Sequence, residues 1–172
     1  MISIVTSVIN REYYLRRLIT SIELLGGDTE FEHFIHFQGN PPSDDFLAFL
    51  KKRATYSKTV IGHDKDIKTI GTVLNKYLSM IKYPIFFKID DDCCLCSQQF
   101  FGKMGEICRL VPESCIYPLI VGGYGAKPSP QETRKVLYSK ELDTYFTLNS
   151  PEQMHGIYFG PAEMLKRIKF LD

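Results

Sequence analysis

An apolar run, Ile85-Phe86-Phe87-Lys88-Ile89, carries the chain straight into three consecutive aspartates, Asp90-Asp91-Asp92. Aromatic and β-branched residues packed this closely read as a buried strand. Three adjacent carboxylates at its carboxyl end repel one another and resist desolvation. A divalent cation relieves that repulsion. Hard cations such as Mg²⁺ and Mn²⁺ select oxygen ligands and keep part of their shell for substrate phosphates. In an open α/β sheet, ligands bind at the carboxyl ends of the strands. The triplet therefore points to a metal that holds a phosphorylated ligand. Taken alone, it is equally compatible with a solvated acidic turn.

The segments around this run alternate between strand and helix signals. Ile2–Val8, Phe31–Phe37 and Thr59–Gly62 read as strands. Glu12–Leu25 places Leu15, Leu18, Ile19, Ile22 and Leu25 at helical spacing, with Asn10 as its expected N-cap and Gly26-Gly27 as its stop. Pro41-Pro42-Ser43 opens a short helix over Asp44–Lys52. A helix over Thr69–Met80 would bury Ile70, Val73, Leu74 and Tyr77, and Pro84 ends it. Another over Gln98–Val111 turns Phe101, Met104, Ile107, Leu110 and Val111 inward. This alternation predicts an α/β fold: a mostly parallel, doubly wound sheet flanked by helices.

Beyond Pro112 the pattern weakens. Ile116–Val121 is a strand candidate, and Gly122–Pro130 reads as a loop able to close over a ligand. Val136–Tyr138 and Tyr145–Leu148 suggest a small antiparallel addition. Ile157–Phe159 is the last strand, and Pro161 sits at the first turn of a helix over Ala162–Phe170. The expected organisation is one domain over residues 1–172, with a nucleotide-binding half (1–111) and a less regular C-terminal half (112–172).

Bulk properties narrow the function classes. A hydrophobic content of 44% and a charged content of 24% describe a globular chain. A net charge of +1 argues against a nucleic-acid binder driven by bulk electrostatics. No run is long and apolar enough to span a bilayer, and the N-terminus lacks the pattern of a signal peptide. The five cysteines form an odd set, Cys93, Cys94, Cys96, Cys108 and Cys115, which suits reduced thiols in a cytoplasmic protein. Cys93 and Cys96 have CxxC spacing, but a structural zinc site needs four ligands, so zinc is not expected.

Laid end to end, these pieces resemble the GT-A glycosyltransferases, in particular their family-2-like branch. Ser3-Ile4-Val5-Thr6-Ser7-Val8-Ile9-Asn10-Arg11 looks like that family's opening strand and Asn-Arg turn, with Ser7-Val8-Ile9 replacing the usual Pro-Thr-Tyr. Phe34-Ile35-His36-Phe37-Gln38-Gly39-Asn40 stands where the family has Asp-Asp-Gly-Ser, so Gln38 replaces its base-reading Asp. Asn75 lies where an Ala-Arg-Asn is usual. Lys88-Ile89-Asp90-Asp91-Asp92 matches the metal-binding DXD motif. His155-Gly156-Ile157-Tyr158-Phe159-Gly160-Pro161-Ala162-Glu163 is similar to the strand-turn-helix that borders the acceptor site. The acid that inverting members carry after that block falls past Asp172, which leaves the stereochemistry open.

The resemblance implies a metal-dependent transferase. It would move sugar from a nucleoside-diphosphate sugar, with UDP the first expectation, to an unidentified acceptor. Asp92 would bind Mn²⁺ or Mg²⁺, with Asp90 at the metal or the ribose. Asp91, the middle residue, would point elsewhere because strand neighbours alternate. Asp90 and Asp91 also stand among the nucleotide-side candidates, with Ser7, Asn10, Arg11, Gln38, Lys68 and Asn75. Asp143, Glu152, Glu163 and His155 are the candidates for general base, and spacing selects none of them. Two alternatives remain. One is a catalytically degenerate domain that binds nucleotide or a protein partner. The lower-ranked one is a nucleotidyltransferase, which usually needs a glycine-rich phosphate loop that Thr6–Arg11 lacks.

Overall fold

The structure is a computed structural model that describes residues 1–112, 136–140, 144–147 and 157–168. Its five-stranded sheet has the order β3-β2-β1-β4-β7. The strands are β1 (Ile2–Val8), β2 (Phe31–Gln38), β3 (Thr59–Asp64), β4 (Ile85–Lys88) and β7 (Tyr158–Pro161). The first four are mutually parallel, and β7 runs antiparallel to β4. A separate hairpin pairs β5 (Val136–Ser139) with β6 (Thr144–Thr147) in antiparallel register, which is the predicted addition. The strand expected over Ile116–Val121 and the loop Gly122–Pro130 lie outside the described residues, as does the end of the last helix beyond Ile168.

Strand periodicity divides the core between the two faces of the sheet. Ile2, Ile4 and Val8 of β1, Ile35 and Phe37 of β2, and Phe87 of β4 point to one face. There they meet α1 (Glu12–Leu25), α2 (Asp44–Lys51) and α4 (Phe100–Leu110) through Leu15, Leu18, Ile22, Phe46, Leu50 and Phe101. Val5, Phe34 and Phe86 point to the other face. They meet α3 (Ile70–Leu78) and α5 (Ala162–Ile168) through Val73, Leu74, Tyr77 and Leu165. Phe87 sits at the centre of an aromatic cluster, with Phe100, Phe101 and Phe159 each at a centroid distance of 5.8 Å. Such offset and edge-to-face pairs add to the area they bury.

Most element boundaries agree with the sequence reading, and the exceptions have local causes. Asn10 does not cap α1. It takes a left-handed backbone (φ 54°), and Arg11 occupies the N-cap position without a side-chain cap. Gln99 is also left-handed, so α4 starts at Phe100 instead of Gln98. Leu110 and Ile70, both expected inside, are exposed, and Cys108 and Leu78 fill the inward positions. Thr69 caps α3 by accepting from the Thr72 N–H. β3 runs two residues past Gly62, because Phe37 and Gln38 continue to pair with His63 and Asp64.

Two polar side chains share the apolar face of β1 and β2. His33 is buried, with Nε2 2.9 Å from Thr6 Oγ1. Burial drives its pKa down to about 3, so the imidazole is neutral at ordinary pH. The unfolded chain binds a proton there below about pH 6.5, whereas the native state does not until about pH 3. The linked stability is present above that window and lost as pH falls through it. In urea unfolding between pH 7 and 4.5, acidification will therefore cost the wild type more stability than it costs His33→Gln. An identical loss in the variant would contradict this account.

Candidate active site

The crossover from β3 to β4 passes β1 and β2, so β4 lands on the opposite side of β1 from β2. That reversal is the switch point of an open α/β sheet, where a crevice opens beyond the carboxyl ends of the strands. Two segments meet there, the Asn10-Arg11 turn after β1 and the aspartates after β4. The backbone N–H of Ile89 donates to the Val5 carbonyl, which aligns the two exits.

Arg11 bridges them. Its Nη2 lies 2.7 Å from Asp91 Oδ1, and its Nη1 donates to Asp92 Oδ2 at 3.0 Å. On the far side, Lys88 Nζ pairs with Asp90 Oδ1 at 2.5 Å from an almost buried position. Each of the three carboxylates thus has a cationic neighbour. Their exposures differ sharply: 34% for the Asp90 side chain, 0% for Asp91 and 47% for Asp92. This is the alternation expected at a strand end, with the outer two facing the crevice and the middle one facing inward.

Asp91 is the strained member. Arg11 stands close enough for attraction but out of line for a hydrogen bond, and both Asp91 oxygens are buried without one. Burial raises its pKa to about 6; Arg11 opposes the rise, and Asp92 and Asp90 add to it. Cys93, half-buried next to the triplet, is pushed up to about 12 by burial and by Asp90 and Asp92, so it remains a thiol. Cys94 and Cys96 are exposed, Cys108 is buried, and Cys115 lies outside the described residues.

Among the described residues, no three His, Cys, Asp or Glu side chains converge to enclose a metal. The triplet still fits a hard cation of the kind that completes its shell with water and phosphate. It offers only oxygen donors. The partly exposed Asp90 and Asp92 reach the crevice, and the buried Asp91 stands behind them.

The remaining predicted residues divide into three groups. Ser7, Gln38, Asn10 and Lys68 do gather at the carboxyl edge, where Gln38 ties Ser7 to Lys68 and Asn10 bonds Asn40. Gln38 is buried. Its Nε2 donates to Ser7 Oγ at 2.7 Å, and its Oε1 accepts from the Lys68 backbone N–H at 2.6 Å. That N–H can only donate, so the orientation of the amide is determined. Gln38 acts as a strut between β1 and the loop before α3, and its amide is not open to a base. Asn10 accepts from Asn40 Nδ2 at 2.9 Å, and the half-exposed Arg11 is held by Asp91 and Asp92. Asn75 is half-buried on α3.

Glu163 does not belong to the site. Because β7 runs antiparallel to β4, Pro161 pairs with Ile85, and the Ala162 N–H donates to the Pro84 carbonyl. Glu163 therefore lies at the amino end of β4, opposite the aspartates, where it pairs with Lys166. Asp143, Glu152 and His155 lie outside the described residues.

A second polar cluster was missed by the sequence reading. Asp64, at the end of β3, meets His36 Nε2 at 3.2 Å, Lys76 Nζ at 3.5 Å and Lys68 Nζ at 3.7 Å, all on Oδ2. His36 is buried, and its Nδ1 lies 2.9 Å from the Tyr77 hydroxyl. Tyr77 is pushed up to about 12 by burial and by Asp64, so it keeps its proton. The Gly62 position, beside His36, has no room for a side chain, since a Cβ there would collide with the Tyr77 hydroxyl. An acid immediately after a parallel strand was the available signal, and ending β3 at Gly62 hid it.

No family model matches the sequence, and no curated protein matches it. Solved structures do match. S. aureus TarS 1–349 superposes with a TM-score of 0.65 at 16% identity, over 97% of this chain and 48% of that one. The same protein in complex with UDP-GlcNAc gives 0.63 at 16% identity, over 97% and 47%. The mannosyltransferase PcManGT from Pyrobaculum calidifontis, in complex with GDP-Man and Mn²⁺, gives 0.59 at 10% identity, over 99% and 47%. The chain spans about half the length of these solved chains. The likeness shows the fold alone: the sheet and its helices are arranged as in these solved chains, a GT-A fold.

The buried charge of Asp91 has a measurable cost. Its native pKa lies above the ordinary carboxylate value, so the associated stability is present at low pH and lost as pH rises through about 6. In metal-free protein at pH 7.5, Asp91→Asn will raise stability by roughly 1–3 kcal/mol, or about 3–9 °C in Tm. A lower Tm would show that the Arg11 attraction outweighs burial.

Proposed function

We propose that this chain is the donor-binding domain of a metal-dependent glycosyltransferase that uses a nucleoside-diphosphate sugar, uridine-linked in the first instance. One observation carries the reading: in a GT-A sheet, the paired aspartates stand at the β1–β4 switch point. Asp92 and Asp90 would hold Mn²⁺ or Mg²⁺ there. Such a cation supplies electrophilic stabilisation of charge on a departing diphosphate. The presence of GDP-Man and Mn²⁺ in one structural neighbour, and of UDP-GlcNAc in another, supports this donor chemistry.

The chain's own residues have distinct tasks in this reading. Arg11 fixes Asp92 and shields the charge of Asp91, so the outer carboxylates are oriented before a ligand arrives. Lys88 does the same for Asp90. Such preorganisation avoids reorienting the site during reaction. Sugar transfer proceeds by displacement at the anomeric carbon, with an acceptor hydroxyl as nucleophile. An inverting enzyme needs a carboxylate to take that proton. Glu163 is excluded from the role by its place at the other end of the sheet.

A second reading, a domain that binds nucleotide without transferring sugar, draws support from the same ion pairs. Arg11 and Lys88 already neutralise much of the carboxylate charge, which weakens the demand for a cation.

Thermal unfolding with UDP, UDP-GlcNAc, GDP and GDP-Man, each with Mn²⁺, Mg²⁺ or EDTA, separates these outcomes. The transferase reading expects a rise in Tm for one nucleotide that needs the metal and disappears in Asp92→Asn. At a ligand concentration of about 100 Kd, the stabilisation would be about 2.7 kcal/mol. A rise that persists in EDTA and in Asp92→Asn would favour the second reading.

A further inference from the structure

Arg11 and Lys88 each neutralise an outer aspartate, but they are held differently. Lys88 ends β4, and its side chain is only 8% exposed beside Asp90. Arg11 stands on a turn. It follows the left-handed Asn10, its own backbone is not helical, and its side chain is 46% exposed. Its guanidinium has two partners of opposite character. Nη2 faces the buried Asp91, and Nη1 donates to the half-exposed Asp92. The first partner needs the charge of Arg11, because a buried carboxylate without a counter-ion is costly. The second does not, because a pair between two half-exposed groups is weak and exchanges readily with other partners.

A divalent cation at Asp92 and the Arg11 guanidinium make competing demands. Both take lone pairs of the same carboxylate, and two positive groups this close repel each other. Among the described residues, Arg11 is the only cation on Asp92. The other oxygen of that carboxylate meets only the Cys93 thiol, a weak donor at 3.9 Å. Three carboxylates facing two protein cations leave a single net negative charge at the triplet. That is little attraction for a bare divalent ion that must shed water to enter.

We propose that Arg11 is a latch on the metal side of the crevice: in the ligand-free protein it holds Asp92 and competes with the divalent cation for that carboxylate. The proposal rests on the donor-site reading above. Asp91 is the pivot of the latch and Asp92 the partner it releases. Arg11 thus opens by giving up one of its two contacts while the buried charge stays compensated. Lys88 cannot act in this way, because it is enclosed with Asp90 at the strand end. The free site holds Mn²⁺ or Mg²⁺ weakly, and the cation is retained when a diphosphate adds its own oxygens and negative charge.

Mn²⁺ binding without nucleotide, read from the paramagnetic resonance signal of the free ion, tests the latch. The proteins compared are wild type, Arg11→Met and the double variant Arg11→Met/Asp92→Asn. Arg11→Met is expected to bind Mn²⁺ at least about tenfold more tightly than wild type, and the gain is expected to vanish when Asp92→Asn is added. Unchanged or weaker affinity in folded Arg11→Met overturns the latch, and so does a gain that survives Asp92→Asn. The donor-site reading outlives either result if UDP or GDP still raises the wild-type Tm in a metal-dependent manner. No such rise in wild type, together with no Mn²⁺ binding by any of the three proteins, overturns both. If Arg11→Met fails to fold with Asp91 left uncompensated, Asp91→Asn is compared with Arg11→Met/Asp91→Asn. The double variant is then expected to bind Mn²⁺ at least about tenfold more tightly than the single one, and equal affinity overturns the latch.

Discussion

The arrangement of the carboxyl edge depends on one guanidinium. Arg11 leaves β1 in a turn that Asn10 makes possible by taking a left-handed backbone, and it reaches across the switch point to two of the three aspartates. Without it, the inward Asp91 would be a buried anion with no compensating charge, a situation that costs several kcal/mol and usually ends in protonation. With it, the anion is tolerated at an elevated pKa. The same contact aligns Asp92 towards the crevice. A stability problem and a site-building problem therefore share one solution, which accounts for an arginine at a helix start where a capping side chain would serve the helix better.

The polar residues along this edge link adjacent strand ends. Gln38 joins β2 to β1 through Ser7, Asn40 joins the turn after β2 to Asn10, and His63 approaches the Gly39 carbonyl. The amino edge has its own lattice, in which buried Glu32 accepts from Ser3 and from the Lys82 N–H. Both edges are thus held by side chains where the backbone ladders run out. On the carboxyl side the outer aspartates, held by Arg11 and Lys88, stay partly exposed towards the crevice.

Much of this was legible in the sequence. The apolar spacing in α1 and the buried run of β4 set the layers, because long periodic segments carry a strong signal. The acidic triplet after β4 marked the crevice, and alternation told Asp91 from its neighbours. What escaped was tertiary. No spacing rule reveals that Gln38 is used up by Ser7 and Lys68, or that Arg11 faces carboxylates, since both facts depend on which strand ends become neighbours. Glu163 was misplaced for the same reason. Its distance in sequence from the last strand was clear, but the antiparallel direction of β7 was not, and that direction decides which end of the sheet it occupies. Asn10 failed as a cap because the chain spends that residue on a turn, an alternative that Asn tolerates better than most.

The place of β1 in the middle of the sheet has a kinetic consequence. Its hydrogen-bonded neighbours are β2, close in sequence, and β4, far along the chain; the Arg11–Asp92 contact joins residues 81 apart. Local pairing of β1 with β2 closes a short loop, whereas docking β4 requires a long closure whose entropy must be met before its contacts form. The two halves of the crevice therefore come together only in the late, non-local stage of folding. A partly folded chain can hold helices and three strands and still lack the crevice, so a ligand held there would report completion of the sheet and not merely its beginning.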